Sequence, residues 1–141
     1  MSSVTAADIL ARRRYLTLNG DADGLADLFA PDAVIEFSFH GPPGTPVRLE
    51  GREAIREYSH RVMELPLRLE DYEVAELYQA QDPEVVIAEI RAKATMTTTG
   101  RSLTTTSIQI LRIREGHIVL SRDFADNRIL EDVIGEPRPR S

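Results

Sequence analysis

The chain has 141 residues, of which 42% are hydrophobic and 6% aromatic, with no Cys, no Trp and a net charge of −6. That length suits one domain with a single core, and the acidic balance argues against a nucleic-acid partner, because phosphate binding needs clustered Lys and Arg. Without Cys there is no disulfide framework, thiol nucleophile or thiolate metal site. No apolar run approaches the ~20 residues of a membrane span, and the N-terminal residues show neither a basic leader nor an apolar signal core. A cytoplasmic protein with no membrane partner is expected.

Residues 5–19 read as a helix: Thr5 and Asp8 have capping-box spacing, and Ala6, Ile9, Leu10, Leu16 and Thr17 recur at helical intervals. Arg13 falls on the same stripe, where a charge is costly unless paired. Its competing readings are a snorkelling side chain with its head in solvent, which is slightly favoured, or a partner for Asp123 or an acidic ligand. Asn19-Gly20 stops the helix, and a short second helix follows from Asp21 or Asp23, burying Leu25, Leu28 and Phe29. Pro31-Asp32 is expected to turn the chain into a strand over 34–40, with Ile35, Phe37 and Phe39 on one face.

Gly41 to Pro46 contains three prolines and reads as a loop, with His40 beside it at the mouth of any pocket. A lone loop His is usually solvated, yet its titration range also suits acid/base work. After a short strand at 47–49, a third helix begins near Gly51 with the stripe Ile55, Tyr58, Val62 and Leu65, and Pro66 ends it. Tyr58 reads as core whose hydroxyl could reach a pocket; Tyr15 and His60 read as solvent-side.

From 67 to 125 the pattern is β. A strand over 67–78 slips phase near Glu70-Asp71, which predicts a bulge. Residues 85–98 alternate, with Val86, Ala88, Ile90, Ala92, Ala94 and Met96 on one face. Turns at Gly100-Arg101 and Glu115-Gly116 separate this strand from two more, over 103–114 and 117–125. Residues 127–134 could cap the fold and 136–141 read as a frayed tail. Helices first and an antiparallel meander after predict an α+β domain over residues 1–135. His40, His60 and His117 lack metal-ligand spacing, and no phosphate loop or dinucleotide fingerprint is present, so no metal or cofactor is expected.

Two stretches carry a family resemblance: Asn19 to Phe37, followed by Glu50-Gly-Arg-Glu-Ala-Ile, and Gly116-His-Ile-Val-Leu-Ser-Arg-Asp-Phe-Ala-Asp126. Together they resemble the SnoaL-like and ketosteroid isomerase-like superfamily over nearly the whole chain. The resemblance implies a cone of three helices packed on a curved, mostly antiparallel mixed sheet, enclosing a cavity and commonly forming a homodimer. Its cavity positions imply Phe37 and Phe39 on the first strand, Ala92 and Ala94 on the fourth, Gln109 on the fifth, and Ser121 and Asp123 on the last. Ile108, Ile110, Ile118, Leu120 and Phe124 would then form an apolar outer face for a dimer.

Arg122-Asp123-Phe124 resembles the Arg-Asp-aromatic segment of limonene epoxide hydrolase-like members, where the acid is catalytic. Burial of that carboxylate against apolar walls would raise its pKa and suit a general acid or base; a strand-end Asp tied to a turn or an Arg is the equal alternative. Steroid isomerisation itself is excluded by Arg13, Phe37 and Gln109, which stand where the family's oxyanion tyrosine, base and second donor belong. The hydrolase's Arg-x-Asp pair would fall on Ala92 and Ala94. Three readings remain: cofactor-independent isomerisation, cyclisation or dehydration of an apolar carbonyl compound, with Asp123 as acid or base and Arg13, Gln109, Tyr58 and His40 orienting it; non-catalytic ligand binding by an accessory dimer; or a protein-interaction module that uses the apolar outer sheet face.

Overall fold

The computed structural model of the chain describes residues 4–38 and 47–125. The expected helices at 127–134, the loop at 41–46, the tail, Phe39 and His40 lie outside them.

Helix α1 (Ala6–Leu18) begins with the reciprocal cap that its sequence spells. The Asp8 amide donates to Thr5 Oγ1 at 3.1 Å, and the Thr5 amide donates to Asp8 Oδ2 at 3.0 Å. Two otherwise unsatisfied backbone donors are thereby used, and these bonds hold the Asp8 carboxyl below the usual carboxylate range. The helix buries Ile9, Leu10 and Leu16. Helix α2 (Ala22–Asp27) is capped by Asp21, which accepts from the Gly24 amide at 2.8 Å. A Cβ on Gly24 would sit 2.6 Å from Leu16 Cδ2, so the close approach of α2 to α1 depends on that glycine. Helix α3 (Arg52–Met63) follows Gly51, whose φ of 91° favours glycine, and buries Ile55.

Among the described residues six strands form one sheet: β1 (Phe29–Phe37), β2 (Val47–Glu50), β3 (Leu67–Gln79), β4 (Val85–Met96), β5 (Ser102–Arg114) and β6 (His117–Ala125). Their order is β2-β1-β6-β5-β4-β3. Only β1 and β6 run parallel; every other neighbouring pair is antiparallel. The architecture is therefore α+β, an open mixed sheet with three helices among the described residues, as the cone-shaped family fold requires. The turn joining β5 to β6 needs two left-handed residues, supplied by Glu115 (φ 51°) and Gly116 (φ 78°).

Four register irregularities decide which side chains face inward. The slip in β3 falls between Leu69 and Asp71, where the sequence places it, and a second follows between Val74 and Glu76. Strand β1 starts at Phe29 rather than Val34: its pairing with β6 breaks between those residues, and Pro31 sits in the break, where a missing N–H costs no ladder bond. In β6, Arg112 pairs with Leu120 but Ile113 pairs with Ile118, so Val119 is an extra residue. That bulge turns Ile118 inward to full burial, which corrects its expected place on the outer face.

One core cluster joins Ile9 and Leu10 of α1, Ile55 of α3, and Phe29, Ile35, Phe37, Tyr72, Ala88, Ile90, Leu111 and Ile118 of the sheet. Met96 and Leu103, with Leu67 against them, form a separate small cluster.

Candidate active site

Strand register places the chemistry in one row. Phe37 of β1 pairs with Asp123 of β6, Asp123 with Gln109 of β5, and Gln109 with Ala88 of β4. The adjacent inward row holds Ile35, Ser121, Leu111 and Val86. Because the side-chain period is two, each row presents one composition to the helices. Here that means an aromatic ring, a carboxylate, an amide and a methyl side by side.

The helices stand off this part of the sheet and leave a pocket of about 220 Å³. Its walls are largely apolar, with Leu25, Phe29, Ile35, Phe37, Ile55 and Val62 among them. Arg13, Tyr58, Tyr72, Gln109, Ser121 and Asp123 bring polar atoms into the same space. Apolar walls with a few convergent polar groups are the usual form of a small-molecule site.

Arg13 does not snorkel to solvent. Its Nη1 donates to Gln109 Oε1 at 2.6 Å, and Gln109 Nε2 donates in turn to Asp123 Oδ2 at 3.4 Å. Gln109 is buried, and with a guanidinium on one side and a carboxylate on the other its amide can point only one way. Arg13 reaches Asp123 through this amide bridge, where the sequence left a direct pairing as one alternative. Arg13 is also fixed from behind, since Thr17 Oγ1 donates to its carbonyl at 2.7 Å.

Tyr58 stacks obliquely on Phe37, with ring centroids 5.2 Å apart. Burial pushes its phenol pKa up, and the nearby Asp123 carboxylate adds to the effect. Tyr72 shows the same upward shift, mainly from burial; Arg13 opposes it and Asp123 reinforces it. Both phenols are therefore hydrogen-bond donors at neutral pH. The Tyr72 hydroxyl is buried and has no hydrogen-bond partner among the described residues.

Of the residues singled out from sequence, Arg13, Phe37, Tyr58, Gln109, Ser121 and Asp123 line this pocket. Ala92 and Ala94 do not. They share the inner face of β4, but Ala92 pairs with Thr105 and Ala94 with Leu103, beyond the reach of the pocket row. Tyr72 is the residue that sequence reasoning missed. It lies just past the first bulge of β3, and a phase counted from that bulge rather than through it would have marked it inward.

Residues 12–121 match the SnoaL-like domain family. The chain belongs to that family. An uncharacterized PhzA/B-like protein of Pseudomonas aeruginosa is 38% identical over 122 residues, covering 86% of this chain and 84% of the relative. Among solved structures, a Bacillus subtilis protein provisionally called an isomerase is 26% identical, covers 96% of both chains and superposes with a TM-score of 0.82. SalBIII, an epoxide hydrolase/cyclase-like enzyme of pyran ring formation in the polyether salinomycin, is 24% identical with a TM-score of 0.68, covering 85% of this chain and 89% of its own. This SnoaL-like chain thus shares its fold with proteins of several chemistries, so a reaction must be argued from its own pocket. No helix among the described residues is long and apolar enough to cross a membrane.

Proposed function

We propose that this SnoaL-like protein binds a small, mostly apolar, carbonyl-bearing molecule and moves protons on it without a cofactor, with Asp123 as general acid or base. The observation that carries the reading is a carboxylate, the single one among the described residues lining an apolar pocket, bridged through Gln109 to a guanidinium. A carboxylate held by an amide donor keeps its orientation, which suits proton transfer to or from a bound carbon acid. Gln109 and Arg13 would orient the oxygenated end, while Phe37 and Tyr58 pack the apolar part. Isomerisation, cyclisation and dehydration all fit such a site, and the provisional isomerase and SalBIII lend support from the same fold. The reading takes the protein to be cytoplasmic.

The test is turnover of candidate carbonyl substrates by wild type and Asp123→Asn. The variant should lose at least about a hundredfold in kcat, the low end of a general acid or base contribution. Equal rates on an identified substrate would remove Asp123 from the chemistry.

Phe37 favours a second reading, non-catalytic ligand binding, because an apolar ring fills the position from which the family's isomerases abstract a proton. That reading predicts a tight ligand that leaves the protein unchanged. In either case we propose a homodimer through the outer sheet face, where Ile110, Leu120 and Phe124 are half-buried and Ile108 is 37% exposed. Sedimentation of Ile108→Glu should then show monomer where wild type shows dimer.

A further inference from the structure

The polar end of the pocket carries two donors whose capacity the fold leaves unused. Arg13 makes one side-chain hydrogen bond among the described residues, to the neutral Gln109, and no ion pair. Several other arginines differ: Arg14 is paired with Asp71, Arg56 with Asp23 and Asp27, and Arg112 with Asp82 and Glu84. A guanidinium presents five N–H groups in a rigid fork that matches a carboxylate. Holding one half-buried against a neutral amide costs solvation that this structure does not return. Tyr72 is the second donor. The residue lines the same pocket, and its hydroxyl is buried and meets no acceptor among the described residues, whereas buried polar groups nearly always have a partner.

Resting on the pocket reading above, we infer that the ligand is a small monocarboxylic acid, bound with its carboxylate against Arg13 and the Tyr72 hydroxyl and its apolar body against Phe29, Phe37 and Ile55. A carboxylate has two oxygens and can accept from both donors at once. It would supply the anion that the guanidinium lacks and the acceptor that the phenol lacks. A phosphate would bring more charge than one Arg can offset, and a neutral ketone would leave the guanidinium charge uncancelled. The pocket volume of about 220 Å³ lies below the ~300 Å³ low end of drug-sized sites, which limits the body to about one ring. The acid's reacting carbon would then lie toward Asp123, on the far side of the Gln109 amide from Arg13.

The test compares benzoate with its neutral isostere benzamide by calorimetry and by chemical shifts of the Phe37 and Tyr58 rings. Wild type should bind benzoate about tenfold or more tighter than benzamide, as a charge-assisted bond in a partly dry site requires. Arg13→Met should bring the two within about twofold while benzamide binding persists, and Tyr72→Phe should weaken benzoate about three- to tenfold. Arg13→Lys should restore part of the preference. Equal affinities in wild type, or a benzoate preference that survives Arg13→Met, would overturn the inference. If benzamide shifts the Phe37 and Tyr58 rings and benzoate has no advantage, the anion site falls and the pocket reading stands. If neither probe shifts those rings, both fall.

Discussion

Two groups of arginines in this protein live under opposite rules. At one end of the sheet, Arg112 and Arg114 converge on Glu84, with bonds of 2.8 to 3.0 Å, and Arg112 also reaches Asp82. Every charge there has an opposite neighbour, and water screens the whole set. In the pocket, the one side-chain partner of Arg13 among the described residues is the amide of Gln109. The surface cluster is electrostatically finished and has little to give a ligand. The pocket cation is unfinished, and that is what makes it useful: the same guanidinium that stabilises the surface when paired becomes a recognition element when the fold withholds its anion.

Substitutions can break this contrast in order of expected size. The largest effect should come from Gln109→Leu, which leaves Arg13 without its acceptor and Asp123 without this donor in a buried place. A loss of about 1–3 kcal/mol of unfolding free energy is expected, read from urea denaturation; an unchanged midpoint would mean that the bridge contributes nothing to the fold. Next is Arg13→Met. It removes a half-buried guanidinium, which favours the unliganded fold, but leaves the buried Gln109 Oε1 without its donor, which opposes it. The net change in unfolding free energy should stay within about 1 kcal/mol, and a loss as large as that of Gln109→Leu would show that Arg13 is a structural member. The smallest effect belongs to Glu84→Gln. The Arg114 and Arg112 bonds hold the Glu84 carboxyl down from 4.5 to about 2. A lowered folded-state pKa stabilises above the unfolded value and is lost as pH falls through the folded one. The difference in urea midpoint between wild type and Glu84→Gln should therefore be constant above about pH 4.5 and close toward pH 2. A gap that stays the same from pH 5 to pH 2 would detach Glu84 from its arginines.

The site was partly legible in the sequence because a strand's alternation survives in composition. Once the last strands were phased, Gln109, Ser121 and Asp123 had to share a face, and the register with Phe37 followed. The α1 cap was legible for the same local reason: Thr5 and Asp8 satisfy each other's backbone within one turn. What stayed hidden depended on single extra residues and on distance. A bulge at Val119 reversed Ile118, and the bulge in β3 concealed Tyr72. Ala92 and Ala94 were on the right face but at the wrong height, because alternation gives the side of a sheet and not how far the helices extend over it. Arg13 was misread because its acceptor lies 96 residues away in the chain.

The strand order β2-β1-β6-β5-β4-β3 has a consequence for how the molecule is made. The last described strand in chain order, β6, is inserted between the first and the fifth. Without β6 the strand order leaves a two-stranded piece, β2-β1, and a three-stranded piece, β5-β4-β3, each with an unpaired edge facing the gap. Such edges invite pairing with the wrong chain, and closing them requires contacts across almost the full sequence, which slows folding. Asp123 sits on that closing strand, so the candidate active site and the completed sheet come into being in the same step.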